Sequence, residues 1–338
     1  MTSPLKARIV GMGSYLPNKV LSNKDFEKMV DTTDEWIVSR TGIEERRIAA
    51  DSEFTSDMGT EAAKKALDAA KLKAEDIQLI ICATMTPDYI SSSSAALIQD
   101  RIGASHAGAV DMQAACTGFL YVLATAKAFV ESGMYQNILV VASEKMSTYV
   151  DYTDRGTSIL FGDGAAAAVV SSKGKGLIIE NVCLGSDGAL AQLVIVPGGG
   201  VRHPPSHASV DAGLHFFKMD GKEVFKHAVR RMSQSARESL SKAGIVEQQI
   251  SWLVPHQANM RIMDAIAKGF DIPADRMYKT VQKYGNTSAS SVAIALDELT
   301  REHTIGAGEH ILLVAFGAGL TWGASVLTQT DTTSNEES

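Results

Sequence analysis

The chain has 338 residues, 45% of them hydrophobic and 21% charged, an ordinary composition for a globular protein long enough for two domain-sized units. A net charge of −7 lacks the basic footprint of a nucleic-acid binder. Three cysteines without paired spacing supply neither a disulfide framework nor a CxxC metal site. No apolar run approaches the roughly 18 residues that span a bilayer, and the first residues lack the apolar core of a signal peptide, so a cytoplasmic protein is expected.

Short β-rich runs alternate with helical patterns, which predicts an α/β fold with buried strands. Residues 7–11 read as a strand, 57–71 as a helix, and 79–83 and 108–112 as two further strands. A helix then opens at Cys116 and runs to 131, followed by strands at 137–143 and 164–170. Residues 197–205, rich in Gly and Pro, read as an irregular loop. Beyond it come a helix at 221–243, a strand at 250–255, a helix from 259 and a short strand near Met277. Asn286 reads as the N-cap of a helix through 298, with strands at 310–316 and 317–327 closing the pattern. Strand, Cys116, helix, strand corresponds to strand, Asn286, helix, strand, which suggests a duplicated core. The expected units are 1–175, carrying the cysteine, and 176–328, carrying a histidine and an asparagine, with 329–338 as a disordered tail.

Three polar groups stand at strand–helix junctions: Cys116, His256 and Asn286. A thiol in the first turn of a helix meets the positive end of the helix dipole, which favours the reactive thiolate. By contrast, Cys82 and Cys183 lie in apolar runs and read as small core residues. His256 follows Pro255 at a strand end, where open α/β sheets place ligands. Gly317-Ala318-Gly319 after a strand offers a tight turn with backbone N–H donors. His203 and His207 are separated by Pro-Pro and make a poor metal pair. Gly162-Asp-Gly-Ala-Ala-Ala167 is followed by a strand-like run, not the helix that a dinucleotide fingerprint needs. The sequon at Asn286 has no export signal beside it and is read as accidental.

The motifs Ala-Cys116-Thr-Gly-Phe, Pro-His256-Gln-Ala-Asn259-Met-Arg261, Tyr-Gly-Asn286-Thr-Ser and Phe316-Gly-Ala-Gly-Leu-Thr-Trp-Gly resemble those of β-ketoacyl-acyl carrier protein synthase III. Thr-Asp34-Glu-Trp36-Ile, Arg40-Thr-Gly-Ile43 and Leu160-Phe-Gly-Asp-Gly-Ala-Ala extend the likeness, which runs from about residue 5 to 327. The resemblance implies a thiolase-like fold of two pseudo-symmetric αβαβα halves in five layers, and a homodimer. It also implies that Cys116 takes an acyl group from acyl-CoA, a substrate rather than a cofactor. Malonyl-acyl carrier protein then loses CO₂ and its carbanion attacks the acyl-enzyme, which initiates type II fatty acid synthesis. No metal and no membrane is implied.

Those roles are chemically coherent. Decarboxylation supplies the carbanion, so the site must stabilise an enolate oxygen, for which neutral His256 and the Asn286 amide are suitable donors. Backbone N–H groups of Cys116 and Ala318 would serve the tetrahedral intermediate, each such donor being worth about 3 kcal/mol. The resemblance carries Trp36 and Arg155 over as the pair around the CoA adenine, and Arg40, Ala258 and Asn259 as the phosphate and pantetheine path. Lys226, Arg230, Arg231, Arg261 and Lys268 form a candidate basic rim for docking an acidic carrier protein. The family often has bulky residues where Ser91 and Ser92 stand, so a roomier acyl pocket is expected here.

Other readings predict other features. A degradative thiolase would need a second catalytic cysteine near the C-terminus, and none follows Cys183. A polyketide- or quinolone-type condensing enzyme would keep the same Cys–His–Asn set. A thioester hydrolase would release free acid without extender, and a non-catalytic binding protein would form no adduct on Cys116.

Overall fold

The computed structural model describes residues 4–330. Its main sheet has nine strands: β1 (Arg8–Tyr15), β2 (Leu79–Ala83), β3 (Gly108–Met112), β4 (Asn137–Glu144), β5 (Gly164–Ser171), β6 (Leu177–Ser186), β7 (Ile250–Pro255), β8 (His310–Gly317) and β9 (Thr321–Gln329). They lie in the order β7-β8-β9-β6-β1-β5-β4-β2-β3. The continuous apolar runs of β4 and β5 are buried along their whole lengths, as strands covered on both faces must be.

One topology occurs twice. In the first half β1 pairs antiparallel with β5 and β5 with β4, whereas β4–β2 and β2–β3 are parallel. In the second half β6–β9 and β9–β8 are antiparallel, β8–β7 is parallel, and Leu253 of β7 makes a parallel bridge to Met277. The strand expected near Met277 is thus reduced to a bridge. Contact between β1 and β6 joins the halves.

Seven longer helices complete the layers: α1 (Asp34–Thr41), α2 (Thr55–Ala70), α3 (Ser94–Ile102), α4 (Gly118–Glu131), α5 (Gly221–Ala243), α6 (Met260–Gly269) and α7 (Ser290–Glu302). α2 and α3 cover the first half, while α5 lies on β6, β8 and β9 with α6 beside it. Between the two sets of strands, α4 and α7 pack on each other and on both halves. From Ser290 to Leu299, every residue of α7 is buried, as expected for a helix sandwiched between sheets. α5 instead buries only Ala228, Met232, Ala236, Leu240 and two serines, the stripe of a surface helix. The result is the five-layered α/β arrangement of a thiolase-like fold.

Several boundaries differ from expectation at functional points. Cys116 lies in a 3₁₀ turn (Ala115–Thr117), with α4 beginning only at Gly118. Asn286 is not a helix cap: α7 starts at Ser290, because Ser288 has φ +53° and breaks any helix from 286. Gly317-Ala-Gly belongs to the end of β8 and the turn after it, and β9 starts at Thr321. Of the tail expected at 329–338, Gln329 pairs with Leu177, and residues 331–338 lie outside the described residues.

Candidate active site

Glycine and alanine bring the two polar helix approaches together. A Cβ on Gly118 would stand 2.9 Å from Ala83 Cβ and 3.1 Å from Ala289 Cβ, so α4 and the entry to α7 meet only because both sides are small. Asn286 is pinned to the segment before β5: its N–H donates to Leu160 O at 2.8 Å, and Gly162 N–H donates to Asn286 O at 3.1 Å. Gly285 (φ +62°) leaves only 2.7 Å between its missing Cβ and Leu160 O. His256 leaves β7 with its N–H on Val314 O at 2.7 Å.

Cys116, His256 and Asn286 line one cavity of about 290 Å³, together with Phe316, Gly317 and Ala318. The cavity has an apolar middle, including Phe161, Phe217 and Met232, and reaches Trp36, Arg40, Ala258, Asn259 and Arg261 at its outer end. Gly317 packs directly on the cysteine: a Cβ there would lie 2.8 Å from Cys116 N and 3.2 Å from Cys116 Cβ. This contact sets the N–H of Cys116 beside the segment that carries Ala318. Gly317→Ala is therefore expected to displace the thiol and, with Cys116 taking the acyl group as the resemblance implies, to slow its loading by about 10²-fold, the cost of a roughly 1 Å misplacement. Loading followed by intact mass checks this, and a wild-type rate would remove the argument.

The electrostatics differ from the simple helix-dipole expectation. Burial pushes the Cys116 thiol up to about 12, against the hydrogen bond its Sγ makes to Ser288 Oγ at 3.6 Å. The resting sulfur is therefore a thiol, because desolvation of the thiolate outweighs the local dipoles. Burial also pushes His256 down to about 3, so the imidazole is neutral. Its Nδ1 lies 2.6 Å from Ser291 Oγ, which itself accepts from Gln257 N–H at 3.4 Å. When the Ser291 hydroxyl donates to Nδ1, the imidazole proton sits on Nε2. Asn286 Oδ1 accepts from Ser288 N–H at 2.9 Å, which leaves the Nδ2 hydrogens as donors.

At the outer end, Arg155 Cζ lies 4.8 Å from the Trp36 ring centroid and Arg40 Cζ 5.6 Å, so the expected Trp–Arg pair is in contact. Asn259 caps α6 through Arg261 N–H at 2.9 Å and donates to Arg40 O at 3.0 Å, tying α6 to α1. Of the basic rim, Arg261, Lys268 and Arg230 are exposed, and Lys226 is exposed but paired with Glu223 at 2.6 Å. Arg231 is not part of that rim: it bonds Asp187 at 3.0 Å and stacks on Trp322 at 4.3 Å.

Ser92 does not line this cavity within one chain. It borders a separate concavity at the β3 edge with Tyr89, Ile90 and Val110, so the roomier acyl pocket expected from Ser91 and Ser92 has no basis in a single chain. Sequence reading also passed over Glu144, Ser288 and Ser291. The hydroxyls at 288 and 291, spaced by three beside Asn286, were the available signal. Glu144, at the end of an apolar strand, had none. Among the described residues no cluster of His, Cys, Asp or Glu is suited to a metal, and no helix is long and apolar enough to cross a membrane.

The family models described as 3-oxoacyl-[acyl-carrier-protein] synthase III and its C-terminal part match residues 110–188 and 240–329. The chain is 56% identical to β-ketoacyl-[acyl-carrier-protein] synthase III of Chlamydia caviae, over 96% of this chain and 98% of that one. The crystal structure of 3-oxoacyl-[acyl-carrier-protein] synthase III from Aquifex aeolicus is similar at TM-score 0.88 and 44% identity, covering 95% and 99% of the two chains. The priming β-ketosynthase of the R1128 polyketide pathway is similar at TM-score 0.89 and 36% identity, covering 98% and 99%. With full-length likeness of this extent, the chain belongs to the β-ketoacyl-acyl carrier protein synthase III family, the condensing enzymes that initiate type II fatty acid synthesis.

Proposed function

We propose that Cys116 carries the acyl group between two half-reactions. Its sulfur attacks the thioester carbonyl of acyl-CoA, the carbonyl–sulfur bond to CoA breaks, and an acyl-enzyme forms. Malonyl-acyl carrier protein then enters and loses CO₂, and its carbanion carbon attacks the acyl carbonyl and expels Cys116. The observation that carries this reading is the single cavity leading from Trp36 and Arg261 to Cys116, His256 and Asn286.

Each remaining group has a role suited to its chemistry. Backbone N–H groups of Cys116 and Ala318 hold the tetrahedral oxyanion, and the His256 Nε2 hydrogen and Asn286 Nδ2 hold the enolate oxygen. Trp36 and Arg155 take the adenine by stacking, while Arg40, Ala258 and Asn259 flank the path of the phosphates and pantetheine. Arg261, Arg230, Lys226 and Lys268 steer the acidic carrier protein, Arg261 from the cavity mouth itself. The reaction needs two substrates and no further cofactor.

A homodimer is proposed through β3. This edge strand leaves Val110 47% exposed, with Ile90 beside it 91% exposed, and an open apolar edge is a template for pairing with a second copy. Three free cysteines suit a reducing, cytoplasmic setting. The two halves divide near residue 175, in the link between β5 and β6.

Exposure to acyl-CoA is expected to add one acyl mass, mapped to Cys116, which malonyl-acyl carrier protein then discharges as β-ketoacyl product. Free acid released without extender would instead establish a hydrolase. The likeness to a polyketide-priming enzyme favours one second reading, in which the same chemistry primes a specialised pathway, and turnover with different carrier proteins separates the two.

A further inference from the structure

Glu144 ends β4 completely buried, with its Oε2 receiving four donors: Thr86 Oγ1 at 2.8 Å, Met85 N at 3.0 Å, Thr84 Oγ1 at 3.1 Å and Thr86 N at 3.2 Å. Its other oxygen, Oε1, accepts from Ser288 Oγ at 3.0 Å. The same hydroxyl accepts from Cys116 Sγ at 3.6 Å, so thiol, hydroxyl and carboxylate form one continuous line. Ser288 reaches this place at φ +53°, an unfavourable conformation for a residue with a Cβ. Asn286 Oδ1 holds it there through the Ser288 N–H. A packing role alone would be met equally well by a glycine, which adopts this conformation freely.

We propose that Ser288 and Glu144 are the proton relay of Cys116, taking its proton as the sulfur attacks acyl-CoA and returning it when the sulfur is expelled. The proposal rests on Cys116 being the nucleophile. In the first half-reaction the Cys116 proton moves to Ser288 Oγ as the hydroxyl proton moves to Glu144, the sulfur–carbonyl bond forms, and CoA leaves as its thiolate. In the second, malonyl-acyl carrier protein loses CO₂, its carbanion forms the new carbon–carbon bond, and the expelled Cys116 sulfur takes the proton back through Ser288. Glu144 begins and ends ionised. Charge balances in each half, because the thiolate of CoA carries away the charge that Glu144 gave up, and malonate supplies the charge that Glu144 regains.

The environment suits this division of labour. Burial pushes Glu144 up to about 7, so the carboxyl holds and releases a proton at neutral pH, while His256, pushed down to about 3, is a poor acceptor. Relieved of proton transfer, the imidazole stays neutral, and with Ser291 donating to Nδ1 its Nε2 hydrogen serves the enolate. The other titratable groups that feel the Glu144 charge are Cys116, Cys82 and Tyr149, all pushed up by burial.

Ser288→Gly and Glu144→Gln test the relay. Glycine relieves the backbone at 288 while deleting the hydroxyl, and glutamine keeps an acceptor oxygen for the Thr84–Thr86 donors while losing the proton site. For each folded variant, acyl loading of Cys116 is expected to slow by about 10²-fold, the scale of general acid–base catalysis. The acyl-CoA concentration giving half-maximal loading should stay within about two-fold. Loading of both variants at the wild-type rate would overturn the relay. A fall in acyl-CoA affinity and stability that accounts for the slower loading would equally overturn it, in favour of a structural role. If the wild-type chain takes no acyl group on Cys116, the nucleophile assignment itself fails, which the first measurement separates from failure of the relay.

Discussion

Replacing Cys116 by Ser is expected to abolish acyl transfer: the intact mass stays unchanged after exposure to acyl-CoA, and condensation falls by at least about 10⁴-fold, as when other enzymes lose their nucleophile. The substitution is nearly isosteric, so the cavity and the Gly317 contact persist. What changes is the acidity and reach of the nucleophile. An alcohol ionises far less readily than a thiol, and this site already pushes the thiol up to about 12 by burial. The shorter carbon–oxygen bond also draws the attacking atom back from the substrate carbonyl. Loss of malonyl decarboxylation is not expected to follow in proportion, since His256 and Asn286 remain as donors. An acyl-modified Cys116→Ser chain, or condensation at the wild-type rate, would remove Cys116 from the centre of the mechanism.

The layered α/β fold was legible because both halves write the same signals. Continuous apolar runs such as residues 137–143 gave buried strands, and the residue 221–243 pattern gave α5 with the boundaries observed. β6 was not legible: Glu180 and Asn181 interrupt its apolar run, and the Asn181 amide is held by Ser239 from α5, donating to its carbonyl at 2.9 Å and accepting from its hydroxyl at 2.6 Å. The strands Lys19–Ser22 and Glu45–Ile48 were equally hidden, since Arg46 reads as a surface charge. It is in fact completely buried, bonded to Asn23 Oδ1 at 2.9 Å and held over Phe26. In each case a distant partner reverses the meaning of a local polar residue.

For the site, residue types and junction positions were readable, but backbone conformation was not. Cys116 and Asn286 were both expected to begin helices, and each instead lies in an irregular approach with a left-handed residue beside it, Ala115 (φ +45°) and Ser288 (φ +53°). No composition rule predicts positive φ at alanine or serine. These exceptions matter functionally, because they turn Cys116 and Asn286 from helix ends into the cavity. The same local departure conceals the Ser288–Glu144 line, which joins residues 144 positions apart.

Asn286→Asp is expected to separate the two half-reactions. Asparagine here divides its amide: Oδ1 is engaged by the Ser288 N–H, while Nδ2 supplies hydrogens that an aspartate lacks. An aspartate can still accept from Ser288 N–H, so the segment between the Leu160 bridge and α7 keeps its support. The lost donor and the added negative charge bear on the enolate, whose stabilisation limits decarboxylation. Release of CO₂ from malonyl-acyl carrier protein should fall by about 10²–10³-fold, the cost of one preorganised donor. Acyl loading of Cys116, for which the Cys116 and Ala318 N–H groups are the proposed donors, should remain measurable by intact mass. Normal condensation in this variant would remove the donor role from Asn286. Equal loss in both half-reactions would mean that residue 286 acts through Ser288 and the placement of Cys116. Separation of the two rates is the outcome that ties the neutral amide to the carbanion chemistry, where a general base would have called for a carboxylate.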